Sequence, residues 1–264
     1  IPDYSIIDTS ISVIPVGSDE DILKLPVPWI IRSPRGLTYP DGQIRIPGIV
    51  GAGPNEGDLL IVGEKELAEF PDNARGISGI VLDLQSLPPM NDAEIEAIVV
   101  SLSSHLSSSS LILLRDGADR IEGLFRLVVD LDLDGAIVSV ATPGGGRAAA
   151  ALPRIGLASR AMGLDAQGRI IGIELEKQPS AEDLIIVRAS GCSFVVGPID
   201  EENKISDISE TIIPEIAGIM KEAGVSNFHN VGRRILRAKD METAAISGLR
   251  LIGFERPLPM WLGN

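Results

Sequence analysis

"VSVATPGGGRAAAALPRIGLASRAMG" (residues 138–163) contains in one stretch the unit from which the chain is built. An apolar run through Val138 and Val140 breaks at Thr142-Pro143 into three glycines, then an arginine, then an alanine-rich helical pattern. Strand, loop and helix in that order make one β/α unit, whose glycine loop either cradles a phosphate or only turns the chain. The same order recurs on both sides. Upstream, "LLIVGE" (59–64) precedes "KELAEF", "GIVLDL" (79–84) precedes "MNDAEIEAIVVSLSSHL", and "LILLRD" (111–116) precedes "ADRIEGLFRLVVDL". Downstream, "RIIGIELE" (169–176) precedes "SAEDLIIVRASG", and "SFVVGP" (193–198) precedes "SETIIPEIAGIMKEAG". Asn91 or Asp92 is the expected N-cap of the helix after residue 90.

Each strand-like run is short and apolar throughout, as expected of strands buried on both faces of a parallel sheet. Consecutive β/α units require right-handed crossovers in one sheet. Counting "SIIDTSISVIPV", "PWIIRS" and "RIPGIV" near the start brings the strands to about eight, the number of a (β/α)8 barrel. A doubly wound open sheet and a closed barrel both fit this order; the length and strand count favour an α/β TIM-like (β/α)8 barrel, trimmed or incomplete at its N-terminal end. Residues 1–58, rich in Pro and Gly, read as an irregular approach segment packed on the barrel. Residues 59–264 read as the barrel with a C-terminal extension, its tail "RPLPMWLGN" extended and Trp261 packed on the body or on another chain.

Composition sets the limits. Of 264 residues 44% are hydrophobic but only 3% aromatic, so the core must be aliphatic. A net charge of −14 argues against nucleic acid and anionic membrane surfaces as partners, since both would repel the chain. The single cysteine, Cys192, excludes a disulfide framework or a cysteine-ligated cluster within the chain, and two histidines leave little for a metal site. No apolar stretch is long enough to span a bilayer, and the first residues show no basic region followed by an apolar one. A cytoplasmic protein is the expectation.

Candidate site residues fall at strand ends, where barrel active sites are built. Gly144, Gly145 and Gly146 permit close backbone approach to a ligand, and Arg147 adds a fork suited to phosphate or carboxylate. A tight turn with one solvated arginine is the plainer alternative. Asp116, after "LILLR", could accept a substrate amine or a ribityl hydroxyl, or cap the next helix. Asp83 has the same two readings, and Arg115 could pair with either carboxylate in the barrel mouth. Lys177 is a candidate ligand of phosphate or carboxylate. Cys192, before an apolar strand, reads as a small core residue. Arg233, Arg234, Arg237 and Lys239 form the one basic cluster, with 233 and 237 on one face if helical.

Several segments together resemble a known family. "PGGGRAAA" (143–150) and "ALPRIGLASRA" (151–161) are similar to the "DGGTGAAP"-like loop and "GLPWELGLAEA"-like helix of the central FMN-binding domain of glutamate synthase and its archaeal stand-alone relatives. "SGCSFVVGP" (190–198) resembles that family's "LGADxVxxG"-like segment. "IIPEIAGIMKEAGVSNFHNVGRRIL" (212–236) resembles its closing helix and ending, so the likeness covers roughly residues 79–240. The resemblance implies a β/α barrel with FMN at its mouth. It assigns Gly144, Gly145, Gly146, Arg147, Lys177, Ser190, Gly191 and Gly197 to the cofactor, whereas Arg115 and Asp116 are substrate candidates from their place at a strand end. "ELEKQPSAED" (174–183) departs from the family's "DGGLRTGxD"-like phosphate loop, placing Glu174 and Glu176 where a phosphate would approach. "GAGPNEGD" (51–58) lacks the lysine of a "GAKPGEGG"-like loop, and the cysteines of the family's [3Fe–4S] centre are absent.

Two functional expectations follow. One is an FMN-dependent oxidoreductase or glutamate-synthase-like subunit, a homo-oligomer or part of a larger complex, with no iron–sulfur cluster in this chain. The other is a non-catalytic barrel that kept the fold, lost the flavin and serves as a binding or structural subunit.

Overall fold

The computed structural model describes residues 9, 11–13, 23–25, 27–32, 37–38, 45–51, 54, 57–70, 77–141, 147–199 and 208–255. Eight parallel strands close into a barrel: β1 (Trp29–Arg32), β2 (Gly48–Val50), β3 (Leu59–Val62), β4 (Gly79–Asp83), β5 (Leu111–Gly117), β6 (Gly135–Ser139), β7 (Ile170–Glu174) and β8 (Phe194–Gly197). They follow one another in chain order, and β8 pairs with β1 through Val195 opposite Trp29 to complete the ring. Helices follow the last six strands: α1 (Glu64–Ala68), α2 (Asp92–Ser103), α3 (Ile121–Asp130), α4 (Ala148–Met162), α5 (Ala181–Ala189) and α6 (Ile213–Glu222). A seventh, α7 (Met241–Ser247), packs on α4.

Closure corrects two expectations. The barrel is complete and begins at Trp29, so the division at 58/59 does not mark its start. "WIIR" and "GIV" lack a following helical pattern, which is why they do not read as repeats. They are nonetheless required, because a six-stranded open sheet would leave two unpaired edges that closure removes. Between β1 and β2 the described residues form a short antiparallel pair, Leu37–Thr38 with Arg45–Ile46. A second pair, Ile11–Val13 with Leu23–Leu25, precedes β1.

The alternation of strand side chains divides the core in two. Ile30, Ile49, Leu59, Val81, Leu111, Leu113, Ile137, Ile170, Phe194 and Val196 point inward and form one cluster, to which Leu25 adds from the segment before the amino end of β1. Their neighbours Trp29, Ile31, Leu82, Leu114, Val138 and Ile173 point outward and join the larger cluster beneath the helices. Strands buried on both faces explain the unbroken apolar runs. Gly172 occupies an inward position, and a Cβ there would lie 2.4 Å from the Phe194 ring, so its absence lets Phe194 fill the barrel. Helix starts follow local chemistry. Asn91 caps α2, its Oδ1 accepting the Glu94 amide at 3.0 Å while Glu94 Oε2 accepts the Asn91 amide at 2.8 Å.

Candidate functional site

At the carboxyl ends of the strands the inward phase changes from apolar to polar. The residues two places beyond Ile30, Val81, Leu113, Ile137 and Gly172 are Arg32, Asp83, Arg115, Ser139 and Glu174. Five strands thus aim polar groups at the mouth.

Arg115 is the centre of the cluster. Its Nη1 donates to Asp83 Oδ1 at 2.6 Å and to Gln85 Oε1 at 3.2 Å. Its Nε donates to Glu174 Oε2 at 2.8 Å, and Nη2 lies 3.1 Å from Ser139 Oγ and 2.6 Å from Glu174 Oε2. Each of the three guanidinium nitrogens therefore donates at least one hydrogen bond. Arg32 approaches from β1 and donates from Nη1 to Glu174 Oε1 at 2.9 Å. Its side chain is 47% exposed against 3% for Glu174. Burial alone would push the Glu174 carboxyl up. The charge of Arg115 and hydrogen bonds from Ser139, Arg32 and Arg115 outweigh it and hold the carboxyl below its usual range. Burial likewise works against the Arg115 cation, but the two carboxylates more than offset it and raise its pKa.

Above this cluster lies an open cavity of about 370 Å³, within the size range of small-ligand sites. Its walls are Ile49, Ile61, Ile137 and Val196, with Gly51 at the rim and Arg32, Arg115 and Glu174 as its charged groups.

The sequence-predicted residues are distributed unevenly. Arg115 is in the mouth and pairs with Asp83, one of the two partners foreseen for it. Asp116 is not: the alternation of β5 turns it outward, where Oδ1 accepts the Gly117 amide at 2.8 Å and Oδ2 lies 3.3 Å from Arg120. Its pKa is raised, chiefly by burial. Ser190 and Gly191 lie between the end of α5 and the start of β8, at the base of the barrel, so the structure does not bring them to the mouth. Gly197 ends β8 at the mouth, where its carbonyl accepts the indole N–H of Trp29 at 3.2 Å. Lys177 is exposed on the β7–α5 loop and does not line the cavity. Arg147, 85% exposed, stands just before α4 with Nη1 3.7 Å from Glu242. Gly144, Gly145 and Gly146 lie outside the described residues, as does Trp261. Arg233 sits in a short 3₁₀ turn (Arg233–Ile235) and Arg237 lies beyond it, so they share no helical face.

Arg32, Ser139 and the apolar walls escaped the reading of the sequence. The available signal was the phase: "WIIR", "GIVLD", "LILLR", "AIVS" and "IGIE" each end on a polar residue at the inward position.

Fold and mouth together define a (β/α)8 barrel with a charged cluster and an open cavity at the carboxyl ends of its strands. No family model matches the sequence, and no curated protein matches it. Among solved structures it is similar to a DHODH from Eimeria tenella in complex with ferulenol, at 13% identity and a TM-score of 0.49, over 72% of this chain and 62% of that one. A ligand-free DHODH from Eimeria tenella gives 12% identity and a TM-score of 0.44, over 59% of this chain and 55% of that one. The chain thus spans under two thirds of the length of either. No helix among the described residues is long and apolar enough to cross a membrane. No group of three or more potential metal-ligating side chains occurs among them.

Proposed function

We propose that the mouth binds FMN and that the chain is an FMN-dependent oxidoreductase or glutamate-synthase-like subunit, cytoplasmic and acting with partner chains or as a homo-oligomer. The observation that carries this reading is the cavity of about 370 Å³ at the strand ends, with four aliphatic walls and a half-exposed arginine. Ile49, Ile61, Ile137 and Val196 suit the faces of a flat heteroaromatic ring, and Arg32 suits its polar edge. Bound there, a flavin would supply hydride and electron transfer. The chain's part is to hold the ring, to set a cation beside its polar edge and to keep water from the apolar walls.

The phosphate fits less well. Ser180 Oγ accepts the Asp183 amide at 3.2 Å and Asp183 Oδ2 accepts the Ser180 amide at 2.9 Å, so the amino end of α5 is already occupied by an acid of its own. The exposed cations Arg147 and Lys177, on the connections after β6 and β7, would meet a phosphate at the rim. Met241, Ile246, Ile252 and Phe254 are exposed and supply apolar surface for a partner chain.

The second reading, a barrel without flavin, is favoured by the spent donors of Arg115 and the closed amino end of α5. Spectra and heat decide between them. Absorption bands near about 375 and 450 nm in the purified protein, or a thermal midpoint raised by added FMN, would support the flavin. A colourless protein whose midpoint FMN leaves unchanged would leave the second reading standing.

A further inference from the structure

Among the described residues, the three charged groups that line the cavity, Arg32, Arg115 and Glu174, bind one another, and Arg32 keeps donors to spare. Every guanidinium nitrogen of Arg115 donates a hydrogen bond, and Asp83, Ser139 and Glu174 all bind it. Arg32 gives one hydrogen bond, from Nη1 to Glu174, and its other N–H groups have no acceptor among the described residues. It lines the cavity, and the uncharged walls are aliphatic. The cluster is electrically balanced, Arg32 and Arg115 against Asp83 and Glu174.

We propose that Arg32 is the anion-recognition residue of the mouth and that Glu174 is its built-in competitor. A small ligand with an apolar body and a carboxylate takes the guanidinium of Arg32 from Glu174. The inference rests on the mouth being a ligand site, but not on flavin being the ligand. The physical argument has three parts. The planar fork of arginine matches a carboxylate, and among the described residues that line the cavity Arg32 is the cation with donors to spare. A monoanion entering this balanced, partly desolvated cluster meets a cation only by competing with Glu174 for Arg32. Only Arg32 can be released, because Arg115 is held by both carboxylates and nearly buried, whereas Arg32 stands at the rim with a single partner. Glu174 keeps its contacts with Arg115 when Arg32 leaves, so its carboxylate is not left without a cation.

Benzoate is a suitable probe, with benzamide as the neutral molecule of the same shape, each titrated by calorimetry into the intact chain. The native protein is expected to prefer benzoate. Arg32→Ala should lower benzoate affinity about tenfold or more and leave benzamide unchanged. Glu174→Gln removes the competitor and should raise benzoate affinity about tenfold. Asp83→Asn changes the net charge equally without touching Arg32, so its gain should stay below about threefold. Arg32 is at the surface, so Arg32→Ala tests the assignment even if Glu174→Gln is too unstable to purify. Benzoate bound equally by native protein and Arg32→Ala would overturn the assignment, as would equal gains in Glu174→Gln and Asp83→Asn. Failure of benzoate to bind native protein or Glu174→Gln would overturn it too. FMN binding separates this from the function proposed above. Benzoate bound through Arg32 in a protein that takes no flavin removes the flavin alone, and flavin binding with Arg32-independent benzoate removes the Arg32 assignment alone.

Discussion

Replacing Arg115 by methionine tests whether the mouth cluster holds the barrel together. The substitution keeps the stem and removes the guanidinium that joins β4, β6 and β7 to β5. It leaves Asp83 and Glu174, with side chains 13% and 3% exposed, without their shared cation. Removing one partner of a buried ion pair costs about 3–5 kcal/mol. Arg32 still reaches Glu174, which places the expectation at the lower end, about 3 kcal/mol. For a chain of this length that corresponds to a fall in Tm of about 6–12 °C. The pH dependence adds a sign. In the native protein the Glu174 carboxyl is held below its ordinary range, so its contribution is present above the ordinary carboxyl pKa and lost as pH falls through the folded value. Without Arg115, burial dominates and raises that pKa, so the variant gains stability as pH falls. The gap in Tm between native and variant should therefore narrow between pH 7 and about pH 4.5. Thermal unfolding followed by circular dichroism at the two pH values measures it. A fall of less than about 2 °C at pH 7, or a gap that widens on acidification, would refute the reasoning.

Three further outcomes are expected. A Cβ on Gly156 of α4 would lie 2.4 Å from the Ser190 carbonyl oxygen, so Gly156→Ala should lower the urea midpoint by an amount worth about 1–3 kcal/mol. Helix propensity alone would raise it by about 1 kcal/mol, so the sign of the change decides whether α4 packs this closely. Burial pushes the Cys192 thiol up to about 12, so at pH 8 a thiol reagent should label the protein only as fast as it unfolds. Rapid labelling of native protein would place Cys192 outside the core. Asp58 is fully buried and its Oδ1 accepts the Gly48 amide at 3.0 Å. Asp58→Ala should cost about 1–3 kcal/mol in chemical denaturation, and a neutral result would deny that link between β2 and β3.

Much of the fold is legible in the residues because each β/α unit is local. Apolar runs such as "GIVLDL" and "LILLRD" can only be strands buried on both faces, and the Asn91–Glu94 pair marks a helix start without reference to anything distant. The first two strands are less legible because no helical pattern follows them in the sequence, and they become strands by being needed to close the ring. The site divides in the same way. Arg115 and Asp83 are visible as charges ending apolar runs, whereas Asp116, one residue on, has the same appearance in sequence and faces the other way. Only the phase of the strand distinguishes them. Ser190 and Gly191 follow a helix and precede a strand, and that connection returns the chain to the base of the barrel rather than to its mouth.

By itself the sequence determined the kind of unit and its repetition, because strand and helix patterning depends on neighbours a few residues away. It also determined which charges sit at strand ends. Tertiary structure decided that eight strands close, that Glu174 turns inward to meet Arg115 from 59 residues away, and that Arg32 comes from the opposite end of the chain to share it. Those contacts join β1, β5 and β7, strands brought together only by the curvature of the closed sheet. No spacing within the sequence encodes a distance across the barrel.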